Sequence, residues 1–279
     1  MKLVARATKI RYRCLVDDTE PYGSVSSPAT GEIAITPANL RLKMFSFRRR
    51  QFVMPAPLSE RAAKGSSQND EWGIIAAILE VIQPTRRFFV EFGVGPRYDD
   101  PTYSLGLEGN CVDLKAAGWE GLFMDAGVHP PHLGVREEVV TADNINLLLR
   151  KYRVPRDFSV LSIDVDGQDI WIWKALKARP ELVIIEYNPT HGPNESVAVP
   201  FNPNFKWDCT NYYGASLAAL NKIGRKKGYR LVCVNWVNAF FVLDCLIANK
   251  SSFNYEELYR RHSMGHHSPD PLQRAYVSV

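Results

Sequence analysis

Five short, almost wholly apolar segments recur between residues 88 and 186, and an acidic residue ends or closely follows each of them. Stretches with helical spacing of apolar residues follow several of these segments. Continuous apolar strands alternating with helices are typical of a parallel sheet that is buried on both faces. The predicted strands cover residues 88–92, 121–125, 138–141, 158–163 and 182–186. The alternation therefore predicts an α/β fold.

Two further strands are predicted at 230–235 and 239–243, and the short turn between them indicates an antiparallel hairpin at the edge of the sheet. They bring the expected sheet to seven strands, most of them parallel. Periodicity and breaker residues predict helices ending before Pro84 and over 144–152, 169–178 and 216–227.

Three regions are expected along the chain. Alternating apolar residues and turn-forming Pro and Gly predict a β-rich N-terminal extension over 1–66. The α/β core is expected over 67–250, and a polar and aromatic tail over 251–279. An extension of this kind could cover a site or pair two subunits, so a homodimer is one expectation.

Charge and composition narrow the function classes. The net charge is only +4, and the basic residues form local clusters such as 48–50 and 225–227 rather than a long stripe, which argues against nucleic-acid binding. No apolar run approaches 18 residues, so no membrane span is expected, and residues 1–16 lack the apolar core of a signal peptide. The five cysteines contain no C-x-x-C pair, which favours a reducing, cytoplasmic setting.

Acidic residues mark the expected ligand site, because ligands of open α/β sheets lie beyond the carboxyl ends of the strands. The strand-end acids are Glu91, Asp125, Asp143, Asp164 with Asp166, and Glu186. Strand interiors are nearly free of charge, so this placement indicates a functional rim.

The turn after the first strand contains Gly93 and Gly95, which have no Cβ and so let the backbone approach a ligand closely. It lacks the third glycine of the dinucleotide fingerprint, since Tyr98 stands there. Asp99, Asp100 and Glu108 follow and would repel a pyrophosphate.

These features suit S-adenosylmethionine, a cofactor with a sulfonium and an ammonium group and no phosphate. Asp125 is the expected partner of its ribose diol, Asp143 is expected near the adenine edge, and Asn110 is a further candidate contact. A tight strand-to-helix turn without a ligand is the alternative interpretation.

The segment 164–169 carries three carboxylates that would repel each other unless a cation joins them. A hard divalent cation such as Mg²⁺, held by Asp166, Glu186 and Asn188, is one hypothesis. The alternative is that Asp164 hydrogen-bonds the cofactor or a helix N-terminus, and that Asp169 caps a helix.

Five motifs together resemble the class I S-adenosylmethionine-dependent methyltransferases, most closely the FkbM-like branch. They are V-E-F-G-V-G at 90–95, G-W-E-G-L-F-M-D at 118–125, L-S-I-D-V-D-G-Q-D at 161–169, I-I-E-Y-N-P at 184–189 and Y-G-A-S-L-A-A-L at 213–220. The resemblance covers about residues 86–245. It implies a Rossmann-like sheet of seven strands with a reversed last strand.

The same resemblance implies that Glu91, Gly93 and Gly95 line the methionine end of the cofactor and that Asp125 takes the ribose. In oxygen-methylating members, an acid after strand four, a base three residues later and an acid after strand five cooperate; here these are Asp166, Asp169 and Glu186. Two departures stand out: Lys or His is commoner at the position of Asp169, and an insertion near 96–109 separates strands one and two.

The expected activity is methyl transfer to a small acceptor, namely a sugar or natural-product hydroxyl or amine. His129 and His191 are alternative bases to Asp169. Trp207, Tyr212 and Tyr213 could form an aromatic acceptor wall after the fifth strand. A nicotinamide-dependent oxidoreductase and an inactive binding module on the same fold are the two rival hypotheses.

Overall fold

In the computed structural model, the described residues are 50–97, 100, 102–262 and 270–279. The chain divides into two units, Met1–Arg48 and Arg49–Val279. The β-rich extension predicted over 1–66 lies mostly outside the described residues and stays a prediction. The fold described below belongs to the second unit.

A sheet of seven strands forms the centre of this unit, in the spatial order β3-β2-β1-β4-β5-β7-β6. Strands β1 to β5 pair in parallel, whereas β7 runs antiparallel to both β5 and β6. The strands are β1 Phe88–Phe92, β2 Glu120–Asp125, β3 Val135–Glu137, β4 Val160–Ile163, β5 Leu182–Glu186, β6 Tyr229–Asn235 and β7 Asn238–Leu243. The prediction of an α/β fold with a mostly parallel sheet and an antiparallel edge hairpin is confirmed.

The apolar character of the central strands explains their position. Every residue of β4 and β7 is buried, and β1 and β5 are each buried at four of five positions. Backbone groups of such segments cannot reach water, so they pair with neighbouring strands. The result is a core with apolar side chains on both faces of the sheet.

Six α-helices lie in the described part of the chain. They are α1 Glu71–Ile82, α2 Val112–Ala116, α3 Ile145–Lys151, α4 Asp169–Ala175, α5 Leu217–Lys226 and α6 Tyr255–His262. Ser216 caps α5, since its side chain accepts a hydrogen bond from the Ala219 amide. Trp173 of α4 is fully buried against Tyr229 and Phe241, whereas Trp171 is only partly buried.

The predicted third strand was wrong in position. The structure places β3 at Val135–Glu137, and residues 138–141 follow it without strand pairing. The reason is the length of its partner: β2 ends at Asp125, which pairs with Glu137 and whose carbonyl accepts a last hydrogen bond from the Glu138 amide at 2.7 Å. Val139 is accordingly exposed to solvent.

Two short pairs of strands lie outside the main sheet. Gly95–Pro96 pairs with Leu107–Glu108, so the insertion after β1 folds back on itself. Val277–Ser278 pairs with Val197–Ala198, which ties the end of the chain to the loop after β5. Among the described residues, no helix has the length and apolarity needed to cross a membrane.

Candidate functional site

Two adjoining cavities lie at the carboxyl ends of β1, β2 and β4. The polar cavity has a volume of about 340 Å³, and the apolar cavity has a volume of about 180 Å³. Gly93, Asp125, Asp164 and Asp166 line both cavities, so the two form one cleft. This is the edge at which ligands of open α/β sheets are held.

Eight of the candidate residues from the sequence line the polar cavity. They are Glu91, Gly93, Gly95, Asn110, Asp125, His129, Asp164 and Asp166. The sheet brings them together because the parallel strands β1, β2 and β4 end at one edge.

Gly93 makes the turn out of β1 and lies against the turn out of β4. Its φ is +81°, a left-handed conformation that glycine adopts without penalty. A Cβ at this position would stand 1.4 Å from the carbonyl oxygen of Asp164. The Gly93 amide donates to the Met124 carbonyl at 3.0 Å. A glycine is therefore required for the three strand ends to approach each other.

Glu91 is buried, with 3% of its surface exposed, and holds the segment before α2. Its two carboxylate oxygens accept hydrogen bonds from the amides of Asn110 at 2.7 Å and Cys111 at 2.9 Å. Burial raises the pKa of Glu91 to about 7, although these hydrogen bonds act in the opposite direction. The carboxyl thus combines a structural task with a position on the cavity wall.

Asp125 and His129 form a bonded pair at the end of β2. The Nε2 atom of His129 lies 2.8 Å from Oδ1 of Asp125, and the Gly127 amide donates to the same oxygen at 2.6 Å. The His129 side chain is only 4% exposed, and its Nδ1 is buried without a hydrogen-bond partner among the described residues. The ring of Tyr103 meets His129 edge-on at 5.4 Å. This packing indicates that His129 holds Asp125 in position, rather than acting as a base on a substrate.

Asp164, Asp166 and Glu186 place carboxylate oxygens within 4.8 Å of one another. Burial raises the pKa of Asp164 and Glu186 well above the ordinary range, and the charges of the neighbouring acids add to the effect. Burial and the nearby charge of Asp125 raise the pKa of Asp166 as well. The Oε2 atom of Glu186 is buried and has no hydrogen-bond partner among the described residues. The group would be stabilised by a proton or a cation.

Asp169 is buried at the first turn of α4 and serves its own loop. Its carboxylate oxygens accept hydrogen bonds from the amides of Val165 at 2.9 Å and Gly167 at 3.0 Å. Burial raises its pKa to about 6. It does not line either cavity, and it does not cap the helix either, since Gln168 stands at the N-cap of α4 and no side chain accepts a capping hydrogen bond there. The geometry of Asp169 therefore matches neither the base nor the helix-cap alternative: its carboxylate holds the loop that precedes α4.

Asn188, Asp143 and His191 also lie away from the cleft. The Asn188 side chain donates to the carbonyls of Asn211 and Tyr213, both at 2.9 Å, and its oxygen accepts from the Thr190 amide. Asp143 is exposed, and its neighbours Thr141 and Ala142 line the apolar cavity instead. His191 lines a separate cavity of about 540 Å³ beside the short strand pair that Val197–Ala198 forms with Val277–Ser278.

Asn238 is one of the cavity residues that the sequence analysis did not predict. It begins β7 and lines the polar cavity together with Gln68, which precedes α1. A reversed strand presents its first residue, rather than its last, at the carboxyl edge of a parallel sheet. The predicted hairpin therefore contained the signal. The apolar walls made by Val140, Phe201 and Phe205 were also missed, because loops supply them.

The cleft is strongly acidic. Glu91, Glu108, Asp125, Asp164 and Asp166 line the polar cavity, and Glu138 joins them on the apolar side. Among the described residues that line either cavity, there is no Lys or Arg. The arrangement attracts cations and disfavours phosphate groups.

No family model, curated protein sequence or solved structure matches this chain. The interpretation of the cleft therefore depends on its own geometry and charge.

Proposed function

We propose that this protein binds S-adenosylmethionine in the cleft and transfers the methyl group to a small acceptor. The observation that carries the proposal is the charge of the cavity walls, which hold acids and, in the described residues, no Lys or Arg. A cofactor with two positive groups and no phosphate matches such a wall, whereas the pyrophosphate of a nicotinamide cofactor does not.

The shape of the cleft also fits this cofactor. The apolar cavity, with Val140, Phe201 and Phe205 in its walls, suits the flat adenine ring. Asp125 borders both cavities, which suits the ribose between the base and the amino-acid end. The polar cavity with Glu91 then takes the amino-acid end. These residues would hold the cofactor, which supplies an electrophilic methyl group when it is bound.

The sheet gives the proposal further support. The resemblance of the motifs implies seven strands with a reversed last strand, and the observed sheet has seven strands with β7 reversed. Fold alone does not establish function, so this support is secondary to the chemistry of the cleft.

Asp166 is the residue that we propose as the base. It is exposed and lines both cavities, so an acceptor can reach it, and partial desolvation and the charge of Asp125 raise its pKa, which makes its carboxylate a stronger proton acceptor. His129 is engaged with Asp125 and buried, so we assign it to positioning the ribose-binding carboxylate. Asp169 holds the loop that carries Asp166 through its bonds to Val165 and Gly167.

A divalent cation such as Mg²⁺ fits beside these carboxylates only if the ligands differ from the set expected from the sequence. Asp164, Asp166 and Glu186 are close enough to share an ion, and the unpartnered Oε2 of Glu186 is a suitable ligand. Asn188 is not, since its side chain is occupied by the loop after β5. If a metal assists the reaction, Asp164 takes the place proposed for Asn188.

We place the acceptor beside the loop after β5, whose Trp207 and Tyr213 line neither of the two cavities. Trp207 is exposed there, and its ring meets Tyr213 edge-on at 5.9 Å. Burial and the charge of Glu186 raise the pKa of Tyr213, so its hydroxyl stays a donor at any ordinary pH. Aromatic faces beside carboxylates suit a sugar or an amine.

Calorimetric titration of the full chain with S-adenosylmethionine, and separately with NADH, tests the proposal. Each titration is run with and without Mg²⁺. Micromolar binding of S-adenosylmethionine together with no binding of NADH is expected. Binding of NADH alone would favour the oxidoreductase, and binding of neither would favour a module without this cofactor.

A further inference from the structure

Asn238 holds an unused hydrogen-bond acceptor at the wall of the polar cavity. The residue is only 4% exposed, and its Oδ1 has no hydrogen-bond partner among the described residues. Its Nδ2 donates to Oε1 of Glu71 at 3.2 Å, which holds the amide in one orientation. A buried acceptor without a partner costs free energy, and a ligand that donates a hydrogen bond removes that cost.

The surroundings of Asn238 are acidic and buried. Glu71 is fully buried and accepts hydrogen bonds from the amide and side chain of Asn69. Glu91 is nearly as buried, and both carboxylates act on the ionisation of Asp164. No described Lys or Arg lines this cavity to balance these acids. A positively charged donor is therefore the ligand group that this end of the cavity suits best.

The position of Asn238 identifies which part of the ligand would reach it. Asp125 lines both cavities, whereas Asn238 lines only the polar cavity. With adenine in the apolar cavity and the ribose at Asp125, the amino-acid end is the part of the cofactor that would occupy the polar cavity, where Asn238 lies.

We propose that Asn238 accepts a hydrogen bond from the ammonium group of S-adenosylmethionine, with its side chain held in place by Glu71. Asn238 is thereby a determinant of specificity for the amino-acid arm. This inference rests on the proposed function, because it assumes that the cofactor occupies the cleft.

Three ligands test the inference on the wild-type chain by calorimetry. S-adenosylhomocysteine has the ammonium group, its deaminated analogue lacks only that group, and 5′-methylthioadenosine lacks the whole amino-acid arm. The deaminated analogue is expected to bind roughly 10-fold to 100-fold more weakly than S-adenosylhomocysteine, the range for a hydrogen bond to a charged group. Equal affinities of these two ligands would overturn the inference.

Asn238→Ala then tests the residue itself, with Asn235→Ala as the matched control. Asn235 is the register partner of Asn238 in the β6–β7 hairpin and does not line the polar cavity. Asn238→Ala is expected to weaken S-adenosylhomocysteine binding roughly tenfold or more and to leave 5′-methylthioadenosine binding unchanged. Asn235→Ala is expected to bind both ligands as the wild type does.

The outcomes separate the two proposals. If the wild type binds neither S-adenosylhomocysteine nor 5′-methylthioadenosine, the proposed function fails. If it binds both and Asn238→Ala changes neither affinity, only the role of Asn238 fails. Should Asn238→Ala not fold, the comparison of the deaminated analogue with S-adenosylhomocysteine on the wild type still decides whether the ammonium is recognised.

Discussion

Replacing Glu91 by Gln should change how the stability of this protein depends on pH. Glu91 is 3% exposed, and burial raises its pKa to about 7 from the ordinary 4.5. Between these two pH values the folded protein keeps the proton, whereas the unfolded chain has lost it. The folded state therefore binds more protons, so the free energy of unfolding falls as pH rises through this window.

The size of the effect follows from the two pKa values. Each pH unit between them corresponds to about 1.4 kcal/mol, so the contribution of Glu91 changes by about 3 kcal/mol between pH 4.5 and 7. This contribution is fully present below pH 4.5 and is lost as pH approaches 7. A glutamine at this position does not titrate. As the pH rises from 4.5 to 7, the free energy of unfolding of Glu91→Gln should therefore increase by about 3 kcal/mol relative to that of the wild type.

Urea unfolding followed by tryptophan fluorescence, at half-unit steps from pH 4.5 to 7.5, measures this difference. Taking the difference between the two proteins removes the contributions of acids that do not interact with Glu91. Asp164, whose pKa the charge of Glu91 helps to raise, is not among them. Glu80→Gln, on the exposed face of α1, controls for the removal of one negative charge. Parallel curves for the wild type and Glu91→Gln would refute the assignment of a protonated, buried carboxyl.

Three further outcomes are expected. Gly93→Ala should lower the free energy of unfolding in urea by about 3 kcal/mol or more, because a Cβ there overlaps a backbone carbonyl. Gly118→Ala is the control, since Gly118 also has a positive φ of +83° but open space around it, and it should cost only about 1–2 kcal/mol. Equal losses in the two variants would contradict the packing argument. In calorimetry, Asp125→Ala should weaken S-adenosylmethionine binding by about 1.5–3 kcal/mol, whereas Asp143→Ala, at an exposed position outside the cavities, should leave it unchanged. Unchanged affinity in Asp125→Ala would contradict the assignment of Asp125 to the ribose. Asp166→Asn should lower methyl transfer and spare cofactor affinity, and full activity of the wild type in a chelator would exclude the metal.

The sheet could be predicted from sequence because its strands are buried on both faces. Such strands must be continuously apolar, and β1 and β5 were predicted with the bounds that the structure shows. Their acidic ends could be predicted to meet, since parallel strands end at one edge. This reasoning located Glu91, Asp125 and Asp164 in one cleft. The third strand failed because its length is set by its partner β2, not by its own apolar residues.

Other parts of the site depend on contacts that the local pattern does not encode. The bond between His129 and Asp125 is made by a loop, whose curvature the residue types do not specify. Asp169 and Asn188 have the chemistry of a base and a ligand, but the turns around them use up their hydrogen bonds. Asn238 enters the cavity only because β7 is reversed. Each of these depends on how distant segments meet.

A crystal structure of the chain grown with S-adenosylhomocysteine would show whether the cleft holds this cofactor. We expect adenine in the apolar cavity, the ribose hydroxyls on Asp125 and the ammonium group beside Asn238. Ligand density elsewhere, or a ribose that does not touch Asp125 in the presence of saturating ligand, would contradict this expectation.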